Sequence, residues 1–563
     1  EQTKDVAETL RMLQEIIKIS PESVERILTE TKKRRSFVPV LVSENLSRKE
    51  VAKIAIQTPY LPGIRIDIGQ TRYYPFRDLA VHLTGYVATI SQSEKTGDPV
   101  LELPGFKIGK SGIEKSFDSK MRGRGAQRQV EVNALGRIIR KLPGEEIQIG
   151  HDVELTIDVS LQSFSTKRLA QGNSMYIPVD DPRIQRALSE GRNLPPGTDP
   201  VNGYVNIDYK GNVQAPESGA AVVMDVFNGD VLALASTPGF DPNSFSSGLN
   251  AADWENLLSN PRSPMTNKAV SGQYSPGSTF KMIVCLAALE AGVAHQETKV
   301  NCSGMIEFGD SRFHCWKKDG HGWLNMIDAI EQSCDVYLYE LAKRVGIKRI
   351  GEMAARFGFG EAFNFGLPGE NRGLIPTPAW KRKTFGQAWH AGETLITSIG
   401  QGFILCTPLQ LAVMTSRLVN GGRPVLPRLM KNERAEIQKR KSLQLSPQHL
   451  HTVLKGMDKV VNGSQGTARK VVDQSMKFQF GGKSGSVQVK RISLDERESG
   501  KLKNKDRPWH ERDHAMFVAF APLKSPRYVV SVVVEHGGGG STMAAPIARD
   551  ILAEALRLNP SKL

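Results

Sequence analysis

At 563 residues the chain is too long for one ordinary domain, and its net charge of +15 favours anionic surroundings such as phospholipid headgroups or an acidic polymer. Hydrophobic residues at 39% and charged residues at 24% allow a packed core. No run approaches the roughly 18 uninterrupted apolar residues of a membrane span, and five cysteines in this length do not make a disulfide scaffold. The basic residues fall in short clusters (Lys32–Arg35, Lys439–Lys441, Lys501–Lys505) without a nucleic-acid-binding motif, so no nucleic acid is expected as a partner.

The chain opens on Glu1, and a leading segment is expected upstream of it. Val6–Ile19 has amphipathic helical spacing, which Pro21 ends. Short extended pieces are predicted at Pro62–Gly69 and Arg72–Tyr86, and a turn-rich extended hairpin at Gly109–Gly136. Beyond residue 150 the character changes. Glu154–Asp158 reads as a strand, Ser160–Ala170 as a helix, and the Pro/Gly/Asp-rich stretch Ile177–Asn212 as a surface insertion.

Ala220–Asp225 and Val231–Ser236 are apolar strands joined through Phe227-Asn228-Gly229-Asp230, where Asn-Gly predicts an antiparallel hairpin. A helix-dominated block follows over 278–460, in which Met282–Ala294, broken by Glu290, reads as a buried helix. Strands return at Phe478–Lys490, His514–Ala521 and Tyr528–Glu535, and a last helix covers Met543–Leu556. The charge-dense stretch 493–512 reads as a loop between two of these strands. Strands at both ends of a helical block imply an α+β domain, with the early hairpin and the late strands in one antiparallel sheet flanked by helices.

Three short patterns carry chemistry. Ser278-Thr279-Phe280-Lys281 follows the chain-turning pair Pro276-Gly277 and precedes the apolar run Met282–Leu286. Ser278 would then sit at a helix N-terminus, which favours developing negative charge, with Lys281 on the same face. An amine held neutral by burial can act as base to a neighbouring hydroxyl. The same tetrapeptide equally fits an N-capping serine and a solvent-seeking lysine. Ser333-Cys334-Asp335 lies within Asp328–Leu341, which has helical apolar spacing. Gly481-Gly482-Lys483-Ser484-Gly485-Ser486 leads into the alternating strand Val487-Gln488-Val489. Taken alone, these two also fit a solvated helix face and a Gly-rich turn.

Their order, S-x-x-K then S-x-D then K-S-G, resembles that of the penicillin-recognising serine acyltransferases. The surroundings extend the resemblance to class B penicillin-binding proteins: Asn267–Val270, Gly219–Asn243, Ser398–Gly402, Thr407–Ala412 and Ala544–Ala548 in the catalytic part. Upstream, Gly85-Tyr86-Val87 and Gly109–Lys115 resemble the non-catalytic pedestal of that class. Asp335, the segment Cys315–Gly322 and the insertion before residue 215 are most like the rod-shape branch. Two departures stand out: Asp335 replaces the Asn common in the wider superfamily, and Ser486 stands where Thr often follows.

The resemblance implies an N-terminal pedestal of mixed α/β structure over 1–150 and a transpeptidase domain over 151–563. It implies a serine-type D-Ala-D-Ala transpeptidase in which Ser278 attacks the penultimate carbonyl of a peptidoglycan stem peptide, Lys281 is the base and Ser333 relays a proton to the leaving amine. Backbone N–H groups of Ser278 and Ser486 would form the oxyanion hole. Asp335, Lys483, Ser484, Gly485 and Ser486 would bind substrate, with Lys483 and Ser484 on its carboxylate, and β-lactams would acylate Ser278. It further implies a single-pass anchor in the bacterial cytoplasmic (inner) membrane, a periplasmic catalytic domain, a SEDS-family glycosyltransferase partner and rod-complex scaffold proteins. No cofactor is required for catalysis. A β-lactamase or D,D-carboxypeptidase shares the three patterns, but neither usually carries such a pedestal. A division-specific transpeptidase shares the domain plan as well. The intact Ser278, Lys281, Ser333 and Lys483 argue against a non-catalytic β-lactam sensor or scaffold.

Cys302, Cys315, His321 and Cys334, spaced C-x12-C-x5-H-x12-C, have the donor set of a tetrahedral structural zinc site. A Cys302–Cys315 disulfide and free buried thiols are the competing readings.

Overall fold

The computed structural model describes residues 5–33, 39–69, 71–95, 101, 106–123, 130–132, 138–141, 148–178, 181–190, 204–207, 213–432, 442–473, 476–490 and 504–562. The chain divides into two compact units. The first comprises Glu1–Arg77, Thr84–Asp152 and Asp241–Trp254, and the second comprises Asp78–Leu83, Val153–Phe240 and Glu255–Leu563. Segments 78–83 and 241–254 thus cross the simple division at residue 150. No helix among the described residues is long and apolar enough to cross a membrane.

In the first unit Leu13, Ile17, Ile54 and Leu61 form a buried cluster beneath short helices. Val6–Gln14 is helical, stopping short of the Val6–Ile19 run, and Pro21 opens a second helix, Pro21–Lys33, instead of ending the first. A proline at the first helical position leaves no bond unmade, because that N–H has no intrahelical acceptor. The Gly109–Gly136 segment begins with two short helices, Gly112–Ser116 and Asp118–Arg122, and the extended hairpin its composition predicts forms later, where Val130–Val132 pairs antiparallel with Ile138–Lys141. Polar anchors decide the helical start: Glu114 is buried against Arg72 Nε (3.0 Å) and Tyr74 OH (3.3 Å), and Asp118 Oδ1 accepts from the Gly109 amide (2.9 Å). Residues 124–129 and 133–137 of that segment lie outside the described residues. Asn243 joins this unit by two bonds to the backbone of Tyr74, at 2.9 and 3.0 Å.

Between 72 and 86 the chain forms a 3-10 turn at Arg77–Leu79 and a helical turn at Val81–Thr84, not the extended pieces expected. Glu154–Asp158 is likewise no strand. Its backbone makes one isolated bridge, Leu155 with Met430, and Asp158 is spent capping the next helix through the Leu161 amide (2.8 Å). Of the 177–212 insertion, the described part includes strand Tyr204–Ile207, which pairs antiparallel with Met175–Pro178; residues 179–180, 191–203 and 208–212 lie outside it. In the 493–512 stretch, residues 504–512 carry two 3-10 turns and 493–503 lie outside the described residues.

The second unit is built on helix α1 (Val159–Gln171) and a five-stranded antiparallel sheet: β1 (Gly219–Asp225), β2 (Val231–Thr237), β3 (Gly481–Val487), β4 (His514–Ala521) and β5 (Tyr528–Val534). The order across the sheet is β3-β4-β5-β1-β2, so the early hairpin and the late strands meet side by side. The strands read as nearly continuous Val/Ala runs because both faces are covered, and every residue of β1, β2 and β5 is buried. Six further helices frame the site: α2 (Lys281–Glu290), α3 (Met326–Glu331), α4 (Asp335–Arg356), α5 (Pro408–Val419), α6 (Pro447–Asn462) and α7 (Ala545–Leu558). Helices α1 and α7 pack on each other and on the sheet, while α5 crosses β1 and β5, taking a bond from Ser531 Oγ to the Pro408 carbonyl (2.6 Å). β3 is an edge strand, with α6 against it and α2 packed on α6 behind.

Candidate active site

Three separate stretches of sequence converge at β3. The first is the turn before α2. Gly277 takes a positive φ of 54°, its N–H donates to the Gly400 carbonyl (2.8 Å), and Thr279 Oγ1 donates to the Pro276 carbonyl (2.6 Å). A Cβ at Gly400 would lie 2.1 Å from the Gly277 carbonyl, so the loop around Gly400 fits only because it carries no side chain there. Ser278 sits half-exposed in a 3-10 turn, Gly277–Phe280, and Lys281 opens α2 fully buried.

The second is the break between α3 and α4. The single helix expected over Asp328–Leu341 does not form. Ser333 has a left-handed φ of 55°, and Cys334 Sγ caps α4 by accepting from the Tyr337 amide (3.5 Å). A left-handed serine costs conformational energy and persists only where its surroundings over-determine it. Here the Ser333 carbonyl accepts from Lys281 Nζ (2.7 Å) and Trp316 Nε1 (3.1 Å). Its hydroxyl accepts from Lys281 Nζ (3.1 Å) and Lys483 Nζ (2.9 Å). With both lone pairs so used, the hydroxyl proton is left to donate outward.

The third is β3 itself. Lys483 is fully buried and also donates to the Ser484 carbonyl (3.0 Å). Ser486 is exposed, and its Oγ accepts from the Gly540 amide (3.0 Å). Gly485 passes the Ser278 turn closely: a Cβ there would stand 3.3 Å from the Pro276 carbonyl. Among the described residues β3 pairs with β4 on one side only, so its outer edge offers backbone groups to an extended peptide.

Two buried lysines and one carboxylate set the electrostatics. Asp335 Oδ1 pairs with Lys281 Nζ (2.7 Å), and Oδ2 accepts from the Trp316 amide (2.9 Å). Asp335, expected among the substrate-contacting residues, is therefore held by protein donors and offsets the charge of Lys281. Burial first, then the charge of Lys281, hold Lys483 well below the ordinary lysine range.

Cys302, Cys315, His321 and Cys334 also come together, their ligand atoms all within 4.8 Å of one another. The thiols are separate, so the Cys302–Cys315 disulfide is not formed. His321 Nδ1 lies 3.6 Å from both Cys302 Sγ and Cys315 Sγ. A tetrahedral site with Zn–S of about 2.3 Å and Zn–N of about 2.0–2.1 Å has edges of about 3.5 Å, which these distances match. Hydrogen bonding from the Cys334 thiol, with His321, draws Cys302 down to about 6 and lowers Cys315 as well, giving the thiolate character a soft metal needs. The cluster is tied to the reaction centre, because the Asp335 amide donates to Cys315 Sγ (3.4 Å) and Trp316 follows Cys315 directly.

The sequence marks the Trp316 segment but not its bonds to Ser333 and Asp335, and it leaves Glu331 and Thr467 beside the site unmarked. Nothing local signals these two, since their partners lie more than a hundred residues away or across the sheet edge.

Residues 219–553 match the family described as penicillin binding protein transpeptidase domain, and residues 1–155 match the penicillin-binding protein dimerisation domain. The peptidoglycan D,D-transpeptidase MrdA of Acinetobacter baumannii is 32% identical over 558 residues, spanning 97% of this chain and 75% of that protein. Among solved structures, Pseudomonas aeruginosa PBP2 in complex with WCK 5153 is 31% identical with a TM-score of 0.67, covering 88% of this chain and 94% of that one. PBP2 of Helicobacter pylori in its complex with MreC is 28% identical with a TM-score of 0.78, covering 99% and 92%.

The charge arrangement has measurable consequences. Asp335→Ala leaves Lys281 buried without its carboxylate and is expected to cost about 3–5 kcal/mol in urea unfolding, more than Asp335→Asn costs. For Lys483, whose folded-state proton affinity is lowered, the unfolded chain binds more protons between that lowered value and the ordinary range near about 10.4. Stability from this site is therefore full above that range and lost as the pH falls through it. Wild type should gain on Lys483→Met in urea midpoint between about pH 7 and pH 10; a constant gap would contradict this assignment.

Proposed function

The chain belongs to the penicillin-binding protein transpeptidase family, and from that premise we propose that it is the peptidoglycan D,D-transpeptidase of cell-wall elongation, working through a Ser278 acyl-enzyme. The observation that carries this reading is the position of the Ser333 hydroxyl, within hydrogen-bond distance of both Lys281 and Lys483. It joins S-x-x-K, S-x-D and K-S-G at one atom.

Ser278 attacks the penultimate carbonyl of a stem peptide ending in D-Ala-D-Ala. Lys281 acts in its neutral form, one proton having passed to Asp335 across their 2.7 Å contact, and takes the Ser278 proton; Ser333 gives its own proton to the departing D-Ala amine and is reprotonated by Lys281 across 3.1 Å. This relay needs a hydroxyl that donates outward, as Ser333 does with both lone pairs engaged. Backbone N–H groups of Ser278 and Ser486 stabilise the oxyanion. The donor peptide lies along the open edge of β3, where Gly485 admits its backbone, and its carboxylate meets Lys483 and Ser484. The amine of a neighbouring stem peptide then resolves the acyl-enzyme and forms the cross-link. A β-lactam acylates the same serine.

Zinc is the proposed occupant of the Cys302, Cys315, His321 and Cys334 cluster. It would supply a structural brace for the loop carrying Trp316 and for the start of α4, with no part in acyl transfer. The reading also carries a cytoplasmic-membrane anchor, a periplasmic catalytic unit and partners in a SEDS-family polymerase and rod-complex scaffolds. The H. pylori complex with MreC supports the scaffold partner.

Ser278→Ala is expected to abolish labelling by a fluorescent penicillin, and mass spectrometry of wild type should find one penicilloyl adduct on Ser278 that persists for many minutes. Rapid loss of the adduct would favour a hydrolase instead. Protein purified without chelator should carry about one equivalent of zinc and lose it in Cys334→Ser; less than a few tenths of an equivalent in wild type sinks the metal assignment.

A further inference from the structure

Glu331 ends α3, two residues before Ser333, with only 4% of its surface exposed. Burying a carboxylate is unfavourable unless its oxygens are bonded. Its partners lie at the end of α6 and in the loop that follows. Oε1 accepts from the Gln465 amide (3.0 Å), Oε2 faces Lys459 Nζ (3.5 Å), and the Glu331 carbonyl accepts from the Thr467 amide (3.4 Å). The loop closes tightly on the carboxylate, since a Cβ at Gly463 would lie 2.3 Å from Oε1. The far end of this loop brings Thr467 Oγ1 to 3.1 Å from Ser484 Oγ, and Thr467 is half-buried at that point.

We propose that Thr467 is a substrate-binding residue, a second hydroxyl for the substrate's terminal carboxylate, and that Glu331 is the positioning residue that holds it against Ser484. This rests on the reading of Lys483 and Ser484 as the carboxylate seat. A carboxylate has two oxygens and about four acceptor sites, more than Ser484 alone serves. One proton bridges the Thr467 and Ser484 hydroxyls and the other is left to donate; an arriving carboxylate takes both, as charge-assisted bonds. Because Glu331 and Ser333 share one short segment, the same bracket sets the spacing between the carboxylate seat and the proton relay. The site would then select peptides with a free C-terminal carboxylate over esterified or amidated ones.

The test is the second-order acylation rate of the full chain by benzylpenicillin and by its methyl ester, which differ only in the carboxylate. Wild type should prefer the acid. Thr467→Val should lose about tenfold or more of that preference, chiefly in the acid rate, and Thr467→Ser should restore it. Glu331→Ala should lower the acid-to-ester ratio in the same way, while Glu331→Gln, which keeps an acceptor for the Gln465 amide, retains it. A wild type without preference would overturn the carboxylate-seat reading itself. A wild-type preference that survives Thr467→Val would overturn this inference alone. Equal slowing of acid and ester in Glu331→Ala would reduce Glu331 to a purely structural group, and if that variant does not fold, Thr467→Val decides.

Discussion

The Ser333 hydroxyl, held between Lys281 Nζ and Lys483 Nζ, is the contact on which the rest of the site depends. It requires a serine in left-handed conformation at the break between two helices, a lysine at the start of a buried helix and a lysine inside an edge strand. Two charged lysines on one buried acceptor would repel each other; Asp335 offsets the charge of Lys281, and burial lowers the proton affinity of Lys483. The Asp of S-x-D is thus explained by charge. An Asn could accept the same hydrogen bond but would leave Lys281 without its counter-ion.

The segment from Cys302 to Asp335 serves that contact. Two small antiparallel strand pairs carry Cys302, Cys315 and His321 to the N-cap of α4, and the chain leaving Cys315 spends both the main-chain and the indole N–H of Trp316 on Asp335 and Ser333. A brace at the cysteines would therefore act on Ser333 and Asp335 through Trp316. Glu331 ties the same helix break to the loop carrying Thr467. The reaction centre is held through two separate segments by groups that take no part in bond making, as preorganised sites require.

Much of this was legible from residues alone. The Asn-Gly hairpin of β1 and β2, the apolar runs of β4 and β5 and the buried α2 each follow from local pattern, and each forms where the pattern predicts. The misses have a common cause. Glu154–Asp158 has strand composition, but its side chains are taken by capping and by Val231 and Arg428 carbonyls. Asp328–Leu341 has helical spacing throughout, and the break within it is accompanied by distant bonds: Lys281 and Trp316 to the Ser333 carbonyl and Lys483 to its hydroxyl. Local propensity is a weak prior wherever a polar group finds a partner far along the chain.

The sequence by itself determined the order of the three patterns, the identity of the nucleophile candidate and its amine, the α+β class and the four metal-type donors. Those are properties of residue type and spacing, and they survive without coordinates. Only the tertiary structure decided which lysine Asp335 neutralises, that both lysines meet on one hydroxyl, that the cysteines remain separate thiols, and that Thr467 stands beside Ser484. The physical reason is range. Hydrogen bonds and ion pairs act over a few ångströms between residues 17 to 150 positions apart in the chain, and no periodicity encodes such a meeting until the sheet and helices have brought them together.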